Sequence, residues 1–250
     1  MNTLSQHKKP IIAITDLKKS YGDNHVLNGF NMVLNEGENL VIMGKSGSGK
    51  SVMIKCLIGL EQPDSGTIVV MDENITELKR STLDDLRTEI GFLFQGSALY
   101  DSMTVRENLE FPLRRHTKKF GVLKDTTPLV MEALENVGLA HTLNLMPSEL
   151  SGGMKRRIAL ARTLILQPKI ILYDEPTTGL DPITAKEILL LMKSIQEKYN
   201  TSSIIITHDV DCARVISNRM ILLVDGINYA EGIYEDLSKS IDPKIQAFFK

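Results

Sequence analysis

The segment from residue 44 to residue 51 has the glycine, serine and lysine spacing of a phosphate-binding loop: Gly44, Lys45, Ser46, Gly47, Ser48, Gly49, Lys50 and Ser51. An apolar run, Asn39–Met43, precedes the loop, and a helical pattern, Val52–Leu60, follows it. Glycines let the backbone curl so that several amides point at one phosphate, and the helix N-terminus adds its positive dipole end. We expect Lys50 to reach the β- and γ-phosphates of a nucleotide and Ser51 to ligate Mg²⁺. A chance glycine- and serine-rich turn is the alternative, but it does not explain this order of strand, loop and helix.

Two adjacent carboxylates, Asp174 and Glu175, follow a second apolar run, residues 170–173. At the tip of a buried strand, Asp174 is placed to hold a metal ion directly or through water. Glu175 then projects toward the γ-phosphate, where it can accept a proton from an attacking water molecule. Two carboxylates that merely cap a strand at the surface are the alternative, and the complete phosphate loop favours the catalytic interpretation.

The elements that must position these groups alternate between short apolar runs and helical patterns, which predicts an α/β layer fold. Three runs rich in Val, Ile or Leu are expected to be buried strands: Asn39–Met43, Lys169–Tyr173 and Ser203–Thr207. Three earlier segments predict a smaller antiparallel sheet, with turn residues between them: Ile11–Leu17, Phe30–Leu34 and Thr67–Met71.

The middle of the chain, from about Thr104 to Leu166, has a mostly helical pattern. Thr127–Val137 and Met154–Leu166 are the clearest predicted helices. We interpret this part as a helical lobe inserted between two strands of the nucleotide-binding sheet. A basic run in the lobe predicts a solvated loop, with a partner-binding patch as the alternative: Arg114, Arg115, His116, Lys118 and Lys119.

Composition narrows the class of protein. The 250 residues are 42% hydrophobic and 24% charged, and the net charge of -2 argues against a nucleic-acid protein that works through a bulk basic field. Cys56 and Cys212 suggest neither a metal cluster nor a disulfide framework, so we expect a reducing compartment. No apolar run approaches the roughly 18 residues of a membrane span, and residues 1–10 lack the apolar stretch of a signal peptide. A cytoplasmic location is therefore expected.

A second predicted anion-binding helix start lies one helix and one strand before Asp174, at Leu150-Ser151-Gly152-Gly153. Ser151 offers a hydroxyl, and Gly152 and Gly153 expose backbone amides. An ordinary serine-capped helix is the alternative. Beside a phosphate loop, this segment resembles the signature motif of ATP-binding-cassette (ABC) proteins. In that family the motif faces the γ-phosphate bound by the opposite subunit, which implies a head-to-tail homodimer.

The resemblance extends over essentially the whole chain. It implies the ABC ATPase fold, in which a RecA-like core carries a small antiparallel β-subdomain and an inserted helical subdomain. Residues 10–245 would form one domain, with the lobe inserted at about residues 97–166 and with terminal tails at 1–9 and 246–250. ATP and Mg²⁺ are the implied ligands.

Four further positions resemble functional elements of the same family. Tyr21 matches the aromatic residue that stacks on adenine; an ordinary tyrosine at a strand end is the alternative. Gln95 matches the glutamine that touches metal and water and reports to the membrane subunit. His208 matches the histidine that contacts the γ-phosphate, and Gly179-Leu180-Asp181 matches the loop through which two subunits communicate.

Met154 departs from the commonest family pattern, which has glutamine after the signature glycines. Longer strings agree with this departure and resemble the ATPases of the Mla/Mce group, which move phospholipids or other lipids between membranes. These strings are Phe94–Val105, Phe111–Arg114, Met146–Glu149, Asp181–Thr184, Asp242–Ile245 and Phe248–Phe249.

The resemblance therefore implies an ATP-hydrolysing subunit that powers lipid transport from the cytoplasmic face of the inner membrane. Its expected partners are a second copy of the chain and integral-membrane permease subunits, with a lipid-binding Mce-type component, and no nucleic acid. The ATPase of another ABC system, such as a solute importer or lipoprotein extractor, is one alternative. A regulatory ABC ATPase acting on cell-wall enzymes, DNA or ribosomes is the other.

Overall fold

The computed structural model describes residues 9–116, 119, 121 and 123–249. Residues 1–8 and Lys250 of the predicted tails and Lys118 of the basic run therefore lie outside it. The strands are β1 (Pro10–Tyr21), β2 (Asn24–Asn35), β3 (Asn39–Met43), β4 (Ser65–Val70), β5 (Glu73–Asn74), β6 (Ile90–Leu93), β7 (Ile170–Asp174), β8 (Ser202–Thr207), β9 (Arg219–Val224) and β10 (Ile227–Gly232). The helices are α1 (Lys50–Leu57), α2 (Arg80–Arg87), α3 (Val105–Arg115), α4 (Thr127–Asn136), α5 (Gly152–Leu164), α6 (Pro182–Tyr199), α7 (Val210–Ile216), α8 (Tyr234–Leu237) and α9 (Pro243–Gln246).

A four-stranded sheet has the order β2-β1-β4-β5, and its paired strands are antiparallel. Its strands alternate buried and exposed residues because one face packs on the core through Leu17, Phe30 and Ile68. The predicted small sheet is confirmed, but β1 and β2 extend well beyond the predicted segments. The extra length carries β1 as far as Tyr21, which pairs with Asn24 across a tight turn.

A six-stranded sheet has the order β10-β9-β3-β8-β7-β6. The strands from β9 to β6 are parallel, and β10 adds an antiparallel edge. β3 and β8 are buried at every position because one face of their sheet packs against the four-stranded sheet and α1, and the other packs against helices that include α6 and α7. The carboxyl ends of β3, β7 and β8 lie at one edge, so the residues after Met43, Tyr173 and Thr207 meet there.

Helices α3, α4 and α5 lie between β6 and β7, where the helical pattern predicts them. Buried side chains from all three, including Leu109, Leu134 and Ile158, form a core of their own. Arg114 and Arg115 are exposed, as predicted, but the prediction of a loop is wrong for them because they are the last residues of α3. Arg114 pairs with Glu110 one helical turn earlier, an arrangement that stabilises a helix end.

The C-terminal part packs onto the main core. Phe248 and Phe249 lie against the cluster around β3, β7 and α6, and the rings of Phe249 and Tyr234 meet edge to face with centroids 5.6 Å apart. Both cysteines are buried free thiols. Within the residues described, no helix is both long and apolar enough to cross a bilayer.

Candidate functional site

The loop between β3 and α1 adopts a backbone that its glycines make possible. Gly47 and Gly49 have φ of 79° and 101°, the left-handed region that side chains disfavour. A Cβ at Gly49 would lie 2.9 Å from the carbonyl oxygen of Val26, so a larger residue cannot fit. Because Gly49 makes this turn, α1 begins at Lys50, two residues before the predicted helix.

The loop fits a chain of phosphates. No side chain caps the first turn of α1, so its amides keep their capacity to bind an anion. The hydroxyl of Ser48 is buried without a hydrogen-bond partner, and a Cβ at Gly47 would meet only open space. Lys50 Nζ donates to the carbonyl oxygens of Gly44 and Lys45 at 2.6 and 3.0 Å, curled against the same loop. Burial lowers the pKa of Lys50, and the carboxylates of Glu175 and Asp174 oppose that shift.

A cavity of about 610 Å³ joins this loop to the predicted catalytic residues. It is lined by residues from five separate segments: Val26, Ser46, Gly47, Ser48, Gly49, Lys50, Ser51, Val52, Gln95, Asp174, Glu175 and His208. The structure thus brings together groups that the sequence predicts to act on one nucleotide. Tyr21, Gly44 and Lys45 are not part of this lining; Gly44 lies beneath the loop, and Lys45 lines an adjoining cavity.

Glu175 is fixed at the edge of the sheet by both its backbone and its side chain. Its φ of 50° is unusual for a non-glycine residue, and its N–H donates to the carbonyl oxygen of Ile206 at 2.9 Å. Its carboxylate lies 2.9 Å from Nδ1 of His208, and the hydroxyls of Thr178 and Thr207 donate to it at 3.2 and 3.5 Å. This carboxylate is therefore oriented before any ligand arrives.

The residues predicted to bind the metal suit Mg²⁺. Ser51, Gln95 and Asp174 offer a hydroxyl, an amide oxygen and a carboxylate on the same cavity. Burial and then the charge of Glu175 raise the pKa of Asp174, against the opposing influence of Lys50 and Arg156. A nearby cation would favour the ionised form. No group of three or more acidic, histidine or cysteine side chains that could hold a metal occurs in the described part of the chain. Such a sparse donor set fits Mg²⁺, which keeps phosphate and water among its ligands.

The predicted signature residues lie at the start of α5, away from the cavity. Ser151 caps the helix, since its hydroxyl accepts a hydrogen bond from the N–H of Met154 at 3.2 Å. Gly153 approaches α6 so closely that a Cβ there would lie 2.6 Å from the Thr184 methyl group. None of these residues lines the phosphate-loop cavity of the same chain.

Two arginines of α5 hold the loop that carries Gln95, and sequence reasoning missed both. Arg156 is 3% exposed and donates to the carbonyl oxygens of Phe94 and Gln95, each at 2.6 Å. Arg162 donates to the carbonyl oxygens of Ala98 at 2.8 Å and Ser97 at 3.4 Å. Arg156 is four residues before a buried leucine, Leu160, on one face of the helix. A charged residue on the apolar face of a predicted helix was the sequence signal that could have identified Arg156 as a buried, hydrogen-bonded residue.

Comparison with known proteins identifies the family. A match to the ABC transporter family covers residues 27–178, which run from the hairpin after Tyr21 through the phosphate loop to the residues beyond Glu175. This chain belongs to the ABC transporter family. The predicted fold class, an ABC ATPase with a mixed α/β architecture, is confirmed.

Two curated relatives show the extent of the likeness. The chain is 38% identical over 237 residues to the probable ribonucleotide transport ATP-binding protein mkl of Mycobacterium tuberculosis, which is 95% of this chain and 66% of that protein. It therefore spans just under two thirds of the length of that relative. It is 37% identical over 252 residues to the methionine import ATP-binding protein MetN of Campylobacter jejuni, covering 95% of this chain and 75% of that protein.

Solved structures of ATP-binding cassettes have a fold similar to that of this chain. A dimeric post-hydrolysis state of the ATP-binding cassette MJ0796, bound to ADP and Pi, matches with a TM-score of 0.80 and 33% identity, covering 89% of this chain and 98% of that one. The cassette cbiO1 of Clostridium perfringens, part of the transporter complex cbiONQ, matches with a TM-score of 0.83 and 29% identity, covering 92% of this chain and 91% of that one. This chain thus matches nearly the whole length of both cassettes.

Proposed function

We propose that the chain is the ATP-hydrolysing subunit of an ABC transporter that moves lipids between membranes through a separate permease. The observation that carries the ATPase part is the single cavity shared by residues 46–52, Gln95, Asp174, Glu175 and His208. Residues 10–245 form the proposed ATPase domain, with the helical lobe at about 97–166. Residues 1–9 and 246–250 are the proposed tails.

The chain's own residues support a hydrolytic mechanism. Residues 44–49 present amides to the phosphates, and Lys50 supplies a positive charge that its hydrogen bonds to Gly44 and Lys45 hold against the same loop. Ser51, Asp174 and Gln95 would hold Mg²⁺, whose charge offsets the negative charge that develops on the transferred phosphate. Glu175 accepts a proton from the attacking water. His208 turns Nδ1 toward Glu175, which leaves Nε2 for the γ-phosphate.

The other half of each site comes from a second copy in this proposal. Ser151, Gly152 and Gly153 would bind the γ-phosphate across a head-to-tail homodimer. Two features support this arrangement. These residues lie outside the cavity of their own chain, and Ser151 and Gly152 are exposed. The similar cassette MJ0796 is described as dimeric in two solved structures.

The permease is proposed to dock in a groove beside Gln95, lined by the Gly96–Met103 stretch and by α3. This partner groove is a cavity of about 1320 Å³ whose lining includes Arg80, Phe94, Tyr100, Phe111, Arg115 and Arg162. Phe94 and Tyr100 are 46% and 44% exposed at its wall, and basic side chains outnumber the carboxylates of Asp84, Asp85 and Glu89 in its lining. These features suit a permease helix with an apolar face and a carboxylate. The chain would then lie on the cytoplasmic face of the inner membrane, with no nucleic-acid partner.

Lipid as the cargo is supported by the sequence strings of the Mla/Mce type and by Met154. A lipid-binding Mce-type component is therefore a proposed partner. The two curated relatives carry the words ribonucleotide transport and methionine import in their names, so a solute is the competing cargo. A regulatory ABC ATPase acting on cell-wall enzymes is the remaining alternative.

Purification of the tagged chain from its native membrane tests these alternatives. We expect an integral-membrane permease, an Mce-type protein and bound phospholipid to co-purify. The control is Tyr100→Asp, which places a charge in the wall of the partner groove and should release the permease while ATP binding is retained. A solute-type permease without phospholipid would contradict lipid transport. A membrane partner associated with cell-wall enzymes would favour the regulatory alternative.

A further inference from the structure

Tyr21 presents one face of its ring to the ammonium group of Lys19. The residue ends β1 and is 47% exposed, and Nζ of Lys19 lies over its ring, 5.3 Å from the centroid. This distance is within the range of a cation–π interaction. Because the ammonium covers one face, only the opposite face is free to stack on a planar group.

Lys19 is held in place by a set of acceptors on the segment after α1. Its side chain is only 12% exposed, and Nζ donates to the carbonyl oxygen of Gln62 at 2.7 Å. The same nitrogen lies 3.3 Å from the carboxylate of Glu61 and 3.4 Å from that of Asp64. A lysine removed from water needs such partners, and three of them fix one position for the ammonium.

Asp64 also fixes the backbone on which Tyr21 is carried. Its second carboxylate oxygen accepts a hydrogen bond from the N–H of Ser20 at 2.6 Å, and its own N–H donates to the carbonyl oxygen of Lys18 at 2.8 Å. The Ser20 N–H holds the pKa of Asp64 below its ordinary value, so the carboxylate is ionised at neutral pH. Both the backbone before Tyr21 and its ring are therefore tied to the same segment.

That segment is continuous with the phosphate loop. α1 begins at Lys50 and ends at Leu57, and the N–H groups of Leu60 and Glu61 both donate to the carbonyl oxygen of Lys55, at 2.9 and 3.1 Å. These bonds leave little freedom between the helix and the carboxylate that holds Lys19. The distance between the phosphate loop and the Tyr21 ring is thus set within one chain.

We propose that Lys19, held by Glu61 and Asp64, is a positioning residue that fixes the Tyr21 ring as the stacking surface for the adenine of ATP. The base occupies the ring face opposite the ammonium. This inference rests on the proposed role of Tyr21 in nucleotide binding. It adds a residue that sets base affinity without touching the nucleotide.

The test compares two ligands that share phosphates and differ in the base, ATP and inorganic tripolyphosphate, by isothermal titration calorimetry on the full chain. Lys19→Met keeps much of the side-chain length and removes the charge. We expect it to weaken ATP binding about three- to tenfold, since the ring loses its fixed orientation, and to leave tripolyphosphate binding unchanged. Lys18→Met is the matched control, because Lys18 is exposed and pairs with Asp16. It should change neither affinity.

Two further variants keep the result interpretable. Lys19→Arg should restore most of the ATP affinity. In a Tyr21→Ala background, Lys19→Met should have no additional effect, because its influence passes through the ring. If Lys19→Met does not fold, Glu61→Gln removes one of the groups that hold the ammonium and should show a smaller loss confined to ATP.

Other outcomes overturn the inference. An equal loss for ATP and tripolyphosphate would mean that Lys19 has only a general structural role. Additivity with Tyr21→Ala would mean that it does not act through the ring. If Tyr21→Ala alone leaves ATP affinity unchanged while Lys50→Ala lowers it, the base-stacking part of the proposed function fails and the phosphate-loop part remains.

Discussion

Two helix starts in this chain are built from similar residues and have different geometries. The phosphate loop leads into α1 through Gly49, whose left-handed backbone provides no side-chain cap. The signature segment leads into α5 through Ser151, whose hydroxyl accepts the N–H of Met154 at 3.2 Å. The first start faces a cavity that contains carboxylates and a histidine, whereas the second is exposed.

The difference indicates how the two starts are used. Around α1, the uncapped amides and the unpartnered hydroxyl of Ser48 are left for a ligand, so the phosphate-binding half is complete within one chain. At α5, Ser151 already satisfies one amide, and a phosphate must compete with that bond. A site of this kind suits a contact that forms only when two chains close on a nucleotide.

Removing the proposed general base, Glu175, should have the largest effect on ATP turnover. Glu175→Gln keeps the shape of the side chain and one acceptor oxygen, but it replaces the other oxygen with a donor and cannot act as a base. We expect turnover to fall on the order of 10²–10⁴-fold with ATP binding retained, because general-base catalysis contributes that much. Phosphate release and light scattering would show slow turnover together with an accumulated closed dimer. Glu197→Gln, at an exposed position of α6, is the control, and unchanged hydrolysis in Glu175→Gln would remove Glu175 from the role.

Lys50→Ala is the next largest change, since it removes the ammonium from the phosphate half. Hydrogen bonds to charged groups contribute about 1.5–3 kcal/mol, so ATP affinity should fall by about 10- to 150-fold. Titration calorimetry measures the loss, with the exposed Lys55→Ala as the control. A Lys50→Ala protein that binds ATP normally would refute the phosphate-loop assignment.

Much of the phosphate half could be predicted from the sequence because its requirements are local. Gly47 and Gly49 must adopt positive φ, and Lys50 and Ser51 must follow them directly. The strand ends at Tyr173 and Thr207 were predictable for a similar reason, since unbroken apolar runs indicate strands buried on both faces. Parallel strands then bring Asp174 and His208 to one edge.

The features that could not be predicted depend on contacts between residues that are distant in the sequence. Arg156 bonds to carbonyl oxygens 62 and 61 residues away, at Phe94 and Gln95. No local pattern gives the partners of a buried arginine. The end of α3 was missed because the basic run suggested a loop, whereas Glu110 pairs with Arg114 within a helix. The link from Lys19 to Asp64 likewise spans two segments that only the folded sheet brings together.

Ser151→Ala tests the second helix start and should have a smaller effect than the changes at Glu175 and Lys50. The substitution removes a helix cap, which costs about 0.5–2 kcal/mol of stability, and the hydroxyl proposed to bind phosphate in the second chain. We expect ATP affinity of the monomeric chain to remain unchanged, while ATP-dependent dimerisation and turnover fall. Sedimentation at a series of protein concentrations measures the dimer. Weaker ATP binding by the monomer would place Ser151 in the phosphate half and contradict the comparison.

Met154→Gln should have the smallest effect, although it restores the residue usual in the family. Met154 contributes its backbone N–H to the Ser151 cap, which the substitution keeps, and its side chain packs against the core of the helical lobe. Loss of that apolar contact should lower the free energy of unfolding by about 1 kcal/mol, measured by denaturant titration. Met154→Leu, which keeps the volume, should be nearly neutral. Turnover in Met154→Gln should change by less than about threefold, because the Met154 side chain packs within the helical lobe and not at the phosphate-loop cavity. A much larger gain in turnover would instead show that glutamine completes the contact with the second chain and that this protein lacks it.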